Sequence, residues 1–194
     1  MKVGAGSVRV SVPKRTIRIS GTISLKTVRR VLRAIRDMQR KNLDPIVVII
    51  GYSRGGCAIA GCALYGVLRT AASPVYTVVE RLAWSAACYV FLAGQYRVMF
   101  KRAKIGLHSA VITQHAYATR NFTEAYSDLM YIATFNEKLI ELVRQSTGLP
   151  KKKIHELLMK NKLFDVKTAL QLRLATDSAD GRHFYRSIKK KGMR

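Results

Sequence analysis

The sequence predicts an α/β fold, and three observations carry that prediction. Ile46 to Ile50 is an unbroken β-branched run bounded by Pro45 and Gly51, the pattern of a parallel strand buried on both faces. Strand-like and helix-like stretches alternate on both sides of it, as parallel strands joined by right-handed crossovers require. The chain has 194 residues, 48% of them hydrophobic, enough for one domain with a sizeable core.

Taken in order, residues 1–14 read as a flexible arm ending at Pro13. Thr16–Ser20 alternates and reads as a strand, which Gly21 breaks. Ser24 is placed to cap a helix running to about Lys41. Leu25, Val28, Val31, Leu32, Ile35 and Met38 fall on one face of that helix. Arg29, Arg30, Arg33, Arg36 and Arg40 take the other side, so this share of the charge reads as a solvated face. Gly55-Gly56 follows the Ile46–Ile50 strand, and a small-residue helix runs from about Cys57 to Thr70. Val75–Val79 is the next strand, and Ser85 stands at the turn after it, where a second helix of small and apolar residues begins. Tyr96–Phe100 and Lys104–Leu107 are short strands. Asn121 with Glu124 resembles a capping box and opens a helix over about 122–146, longer than the average globular helix. Its stripe of Leu129, Ile132, Phe135, Leu139, Leu142 and Val143 needs a surface to pack on, either the domain's own core or a partner subunit. Gly148 stops this helix and Pro150 opens another. Residues 181–194 form a basic tail, which leaves a single domain over 15–180.

Composition narrows the class. Thirty-five Lys and Arg against 11 Asp and Glu give a net charge of +24, an excess that suits anionic partners. The charge is spread along the chain with no base-reading motif, so nucleic acid is not the favoured partner. No apolar stretch of about 18 residues is free of charge, so no membrane span is expected. Met1 to Val12 lacks the apolar centre of a signal peptide. Cys57, Cys62 and Cys88 all lie in apolar helical patterns, and this odd, buried-looking set reads as reduced thiols of a cytoplasmic protein. Their spacing offers no metal site, and no cofactor is expected.

The chemistry concentrates at Ser85, a hydroxyl at a strand-to-helix corner, where helix-start N–H groups stabilise negative charge. A serine needs a base to become a nucleophile. His108, at the end of another short apolar run, supplies an imidazole, a group that titrates near neutrality. Acyl transfer also needs donors for the developing oxyanion. The Ala86 N–H is one, and the Gly55-Gly56 turn offers the other, since glycine lets backbone approach a substrate closely. His115, His155 and His183 lie in polar surroundings and read as solvent-facing. Lys151-Lys152-Lys153 opens a helix, where cations oppose the macrodipole, so it reads as solvated or as meeting an acidic partner. Tyr89 and Phe91 read as core.

These residues resemble the Clp-type serine peptidases (the ClpP family, with the ClpP/crotonase fold) over roughly Thr16 to Asp177. Ser53-Arg54-Gly55-Gly56 is similar to the family's Ser-Pro-Gly-Gly turn, which makes Gly56 the matching oxyanion donor. Trp84-Ser85-Ala86-Ala87-Cys88, with Leu92-Ala93-Gly94 after it, resembles the nucleophile motif Ala-Ser-Met-Gly-Ala. Ser85 is then the nucleophile and Ala86 the second donor. Ala103 to His108 looks like the segment ending in the catalytic histidine, and the 122–146 helix like the family's handle helix. The resemblance implies repeated β-β-α units with a long projecting handle helix. It also implies heptameric rings stacked as a homo-oligomeric tetradecamer with active sites inside, often fed by an ATP-driven AAA+ unfoldase.

Several positions depart from the family pattern. The catalytic aspartate falls on Asn161, which can orient an imidazole but brings no full charge; loss of the acid costs chymotrypsin-type triads about 10⁴ in kcat. Asp165, and less directly Asp177, are alternative acids. Trp84 replaces a small residue, Arg54 a proline and Ala87 a glycine, and Ser109-Ala110 stands for Gln-Pro. The docking aromatics of many members fall on Val48, Ile50 and Thr70. The resulting expectation is a serine endopeptidase core, itself ATP-independent, that cleaves unfolded polypeptides through an acyl-enzyme, weakened at its third triad position. The alternatives are a feeble structural ring subunit beside an active paralogue, and a phage-type Clp-fold assembly protease. A crotonase-type acyl-CoA enzyme ranks last, since it has no need of a Ser–His pair.

Overall fold

The computed structural model describes residues 6–111, 121–181 and 184. His115, His183, the first five residues and the Lys189–Arg194 stretch lie outside the described residues. Among the described residues one mixed sheet of eight strands organises the fold, with β1 (Ser7–Ser11), β2 (Thr16–Ser20), β3 (Ile46–Ser53), β4 (Val75–Trp84), β5 (Tyr96–Phe100) and β8 (Asp177–Ala179) side by side in that order. β6 (Lys104–Gly106) pairs with β4 and with β7 (Leu163–Phe164). Every pairing is parallel except β1 with β2 and β6 with β7. The helices are α1 (Leu25–Gln39), α2 (Ala58–Arg69), α3 (Ala86–Leu92), α4 (Phe122–Thr147), α5 (Lys151–Lys160) and α6 (Val166–Gln171). The predicted α/β class is the class observed.

The N-terminal stretch corrects one expectation. Ser7–Ser11, read as part of a flexible arm, is a strand antiparallel to β2, with Ser11 opposite Thr16. Its Ser-Val-Arg-Val-Ser alternation carried that signal, which the neighbouring glycines and Pro13 obscured. Arg15 closes the hairpin at φ 47°. Its guanidinium donates to the carbonyls of Met38 at 2.8 Å and Asp44 at 2.6 Å and to Ser73 Oγ at 3.0 Å. A buried arginine so fully bonded ties the hairpin to the end of α1.

β3 reads as foreseen: Ile46 to Gly51 is buried throughout. Val48 and Ile50 face the main core against α1 and α2, while Val47 and Ile49 join a smaller cluster with Val78, Val98 and Phe184. Val48 and Ile50 are therefore core positions, and Thr70 is the C-cap of α2. Tyr89 and Phe91 are core, as their pattern implied. Cys57 departs from the buried reading of the cysteines: it is the exposed N-cap residue of α2, while Cys62 is half-buried and Cys88 buried.

Arg97 on β5 joins the two halves of the domain. Its guanidinium donates to the carbonyls of Leu174 at 2.9 Å and of Gly94, Ser146 and Arg173 at 3.0 Å. α4 is anchored by its C-terminal half, where Leu139, Ile140 and Val143 are buried. The N-terminal half is exposed, with Phe122 84% exposed and Tyr126, Leu129, Met130 and Tyr131 about half exposed or more. Asn121 and Glu124 form the expected reciprocal cap, and Gly148 ends the helix at φ 71°. Among the described residues no helix is long and apolar enough to cross a membrane.

Candidate active site

The split pairing of β4 builds the site. Its first half, Tyr76 to Val79, pairs with β5, and its last residues, Leu82 to Trp84, pair with β6. Trp84 stands opposite Gly106 in that register. Ser85, one residue past β4, and His108, two past Gly106, therefore leave neighbouring strands at the same edge of the sheet. The Ser85 N–H donates to the Gly106 carbonyl at 3.0 Å and fixes the corner.

Ser85 occupies the N-cap position of α3 at φ 57° and ψ −126°. A non-glycine residue there carries backbone strain of about 1–3 kcal/mol, which the surroundings must impose. Its side chain makes no capping hydrogen bond, although serine at this position ordinarily does. The hydroxyl is thus half-buried, at the entrance to a helix, and not spent on the local backbone.

The backbone donors lie around it. Gly56 is exposed at φ 146°, and among the described residues its N–H and that of Ala86 donate to no carbonyl. Ala86 opens α3, so its N–H is one of the orphan donors of a helix start. Gly55, not singled out as a donor, makes the closest approach to the elbow. A Cβ at Gly55 would lie 2.7 Å from Ser85 Cβ, 2.7 Å from the Trp84 carbonyl and 2.9 Å from the Ala86 nitrogen. Gly56 abuts a different segment: a Cβ there would meet the Ile23 carbonyl at 2.3 Å. The two glycines divide the work, one admitting the nucleophile turn and the other seating the loop against Ile23.

His108 is half-buried, and its Nδ1 lies 2.7 Å from the Ser109 carbonyl. A carbonyl only accepts, so Nδ1 carries the proton and Nε2 is left as the basic nitrogen. The Tyr89 hydroxyl donates to the His108 carbonyl at 3.4 Å. The Trp84 indole stacks on the imidazole, centroids 5.4 Å apart and planes 22° from parallel. Gly106 makes room for that indole, since a Cβ at Gly106 would fall 2.2 Å from its Cε3 and Cζ3.

The family model for the Clp protease matches residues 7–177. The chain belongs to the Clp protease family. Among solved structures, an Asn-to-Asp mutant of ClpP1 from Listeria monocytogenes is similar with a TM-score of 0.79 and 19% identity, over 89% of this chain and 95% of that one. ClpP1 from Listeria monocytogenes is similar with a TM-score of 0.74 and 20% identity, over the same shares. At these identities the likeness is one of fold. A comparison with curated protein sequences finds no match.

The family's third triad position falls on Asn161, at the end of α5. Asn161 is the exposed C-cap of α5, in the left-handed region at φ 47°. Among the described residues its side chain makes no hydrogen bond, and none reaches His108 from it. Asp165 caps α6 instead: its carboxylate accepts from the Thr168 N–H at 2.9 Å, and that bond holds its pKa below the usual carboxylate value. Asp177 accepts from the Tyr96 hydroxyl on β5. The contact behind the histidine is the Ser109 carbonyl, and sequence reasoning missed it because a backbone carbonyl has no sequence signature. Cys88, just beyond Ser85, is buried and its thiol is pushed up to about 12 by desolvation, so it stays protonated and does not compete as nucleophile. His155 is exposed on α5. Lys151 and Lys153, at the start of that helix, meet Glu137 at 3.3 Å and Glu156 at 3.6 Å.

Proposed function

We propose that this Clp protease is a serine endopeptidase that cleaves unfolded polypeptides through an acyl-enzyme, with Ser85 as nucleophile and His108 as its base. The observation that carries the reading is the strained Ser85 corner, with its uncommitted hydroxyl between the Gly55-Gly56 loop and the start of α3. In the first step His108 Nε2 takes the Ser85 proton as Oγ attacks the scissile carbonyl. The Gly56 and Ala86 N–H groups receive the oxyanion, and the imidazolium then protonates the leaving amine. Water repeats the sequence in reverse order and frees the acid product.

The third role, which the resemblance assigns to Asn161, is filled in this reading by the Ser109 carbonyl and the Trp84 ring. Together they set the tautomer and plane of the imidazole. Neither brings a full negative charge to the imidazolium, so this reading expects slow turnover. The exposed apolar half of α4, with Phe122, Tyr126, Leu129 and Tyr131, supports assembly of copies of this chain through a handle-type helix, with heptameric rings stacked in pairs. No aromatic is presented at Val48, Ile50 or Thr70, which argues for a core that works without an unfoldase.

The test is labelling of the assembled protein with a fluorophosphonate probe, beside Ser85→Ala and His108→Ala. Labelling of the parent chain, lost in Ser85→Ala and strongly slowed in His108→Ala, supports the reading. Equal labelling of parent and Ser85→Ala overturns it. The absence of any described carboxylate behind His108 favours one second reading, a structural ring subunit partnering an active paralogue; turnover of a fluorogenic peptide by this chain alone counts against that reading.

A further inference from the structure

The exposed face of α1 carries charge that the fold itself does not use. Lys26, Arg29, Arg30, Arg33, Arg36 and Arg40 are all exposed, while Thr27, Val31, Ala34, Ile35 and Met38 are buried. The cations recur at helical spacing and form a stripe of about 21 Å at 1.5 Å per residue. Lys26, Arg29, Arg30 and Arg33 together line a shallow depression. The first turn holds no acidic residue, so its cations oppose the helix dipole. Like charges three and four residues apart also repel. Compensation is almost absent: Asp37 lies 3.8 Å from Arg40, and among the described residues no other carboxylate pairs with a cation of α1. A merely soluble face would mix signs. This face loses helix stability to concentrate one sign.

The chemistry selects the ligand. Five of the six cations are arginines, whose planar fork matches phosphate oxygens in pairs. α1 has no aromatic residue on which single-stranded bases could stack. Leu25 is the one exposed large apolar residue of α1, too little for a helix lying in a lipid interface. We propose that the exposed face of α1 is a binding site for the phosphate backbone of duplex nucleic acid, without base readout. Gathered on one surface, part of the +24 charge acquires a use that its spread along the sequence concealed. Binding there would hold the peptidase near nucleic acid.

The experiment measures anisotropy of a labelled 20-base-pair DNA duplex against full-length protein across a salt series. The parent should bind at micromolar concentration in low salt, with log K falling against log salt at about 0.9 per phosphate contacted. Arg29→Gln/Arg30→Gln/Arg33→Gln should flatten that slope by about 2–3 units. Lys151→Gln/Lys152→Gln/Lys153→Gln removes equal charge from α5 and should leave the slope within one unit of the parent. Equal flattening by both triple variants overturns the proposal, because binding is then diffuse. So does stronger displacement by polyglutamate than by unlabelled duplex, which assigns the face to acidic polypeptides. Binding to phosphatidylserine vesicles without binding to duplex overturns it as well. Arg33→Glu alone, which leaves the rest of the helix intact, should weaken binding at least tenfold, and unchanged binding also counts against the proposal. Fluorophosphonate labelling of every variant should match the parent, which separates this site from the reading of Ser85.

Discussion

The Trp84 indole lies on the imidazole of His108 and over the bare backbone of Gly106. One aromatic ring therefore connects the residue before the nucleophile to the base and to the strand that delivers the base. An aromatic pair of this kind is worth about 0.5–1.5 kcal/mol, and a ring face also favours a cation resting on it. Trp84→Ala should cut peptidase turnover about 3–10-fold, since 1.4 kcal/mol is a factor of ten. Gly106→Ala should cause a similar loss by pushing the indole away. The double variant should lose little more than either single one, because both act through one contact. Multiplicative losses in a kinetic double-mutant cycle would show two separate effects.

Asn161 supplies a second prediction. Its side chain has no described contact with His108, and the tautomer is already set by the Ser109 carbonyl. Asn161→Ala and Asn161→Asp should each change kcat/KM by less than about 3-fold, under 1 kcal/mol of barrier. A tenfold gain in Asn161→Asp, measured on a fluorogenic peptide with the assembled protein, would assign the third role to position 161.

Gly55 is the most sterically committed glycine beside the nucleophile. Gly55→Ala adds a Cβ 2.7 Å from Ser85 Cβ at a position of φ 88°. The Ser85 corner must move, and a misplacement near 1 Å costs about 10² in rate. Fluorophosphonate labelling should slow by that factor or more while far-ultraviolet circular dichroism keeps its shape. Unchanged labelling would mean that the loop yields without disturbing the serine.

Tyr96 predicts a pH dependence of stability. Its hydroxyl donates to Asp177 and so ties β5 to β8, and that bond raises its pKa from the ordinary 10.0 to about 12. A group whose folded value is raised contributes fully below its unfolded value, and the contribution is lost as pH climbs through the folded one. Parent stability should fall between pH 10 and about 12, and Tyr96→Phe should fall less steeply over the same window. Tyr96 is 41% exposed, so solvent screening keeps the difference small. Urea titrations of both proteins across that range make the comparison.

Much of this protein was legible in the chain. β3 showed itself by a β-branched run between Pro45 and Gly51, α1 by its two faces, and α4 by the Asn121–Glu124 cap and Gly148. These are local signals, written within one turn or one strand. The Ser85 corner was legible for the same reason, since strand, serine and helix are adjacent in sequence. β1 was missed because glycine and proline mask a short alternation, and Cys57 was misplaced because a helix start and a buried helix position look alike.

What only the tertiary structure decided depends on contacts between distant segments. The register of Trp84 with Gly106 brings Ser85 and His108 to one edge of the sheet, and no local pattern encodes a register between strands so far apart. The same register sets the indole against the imidazole and leaves the Ser109 carbonyl behind Nδ1. Asn161 matches the family pattern in sequence, but α5 ends there in a left-handed cap, and among the described residues its side chain makes no hydrogen bond to the base. Residue types and local order were thus determined by the sequence read along the chain. Which group lies behind the histidine was decided by packing, because hydrogen bonds depend on distance in space.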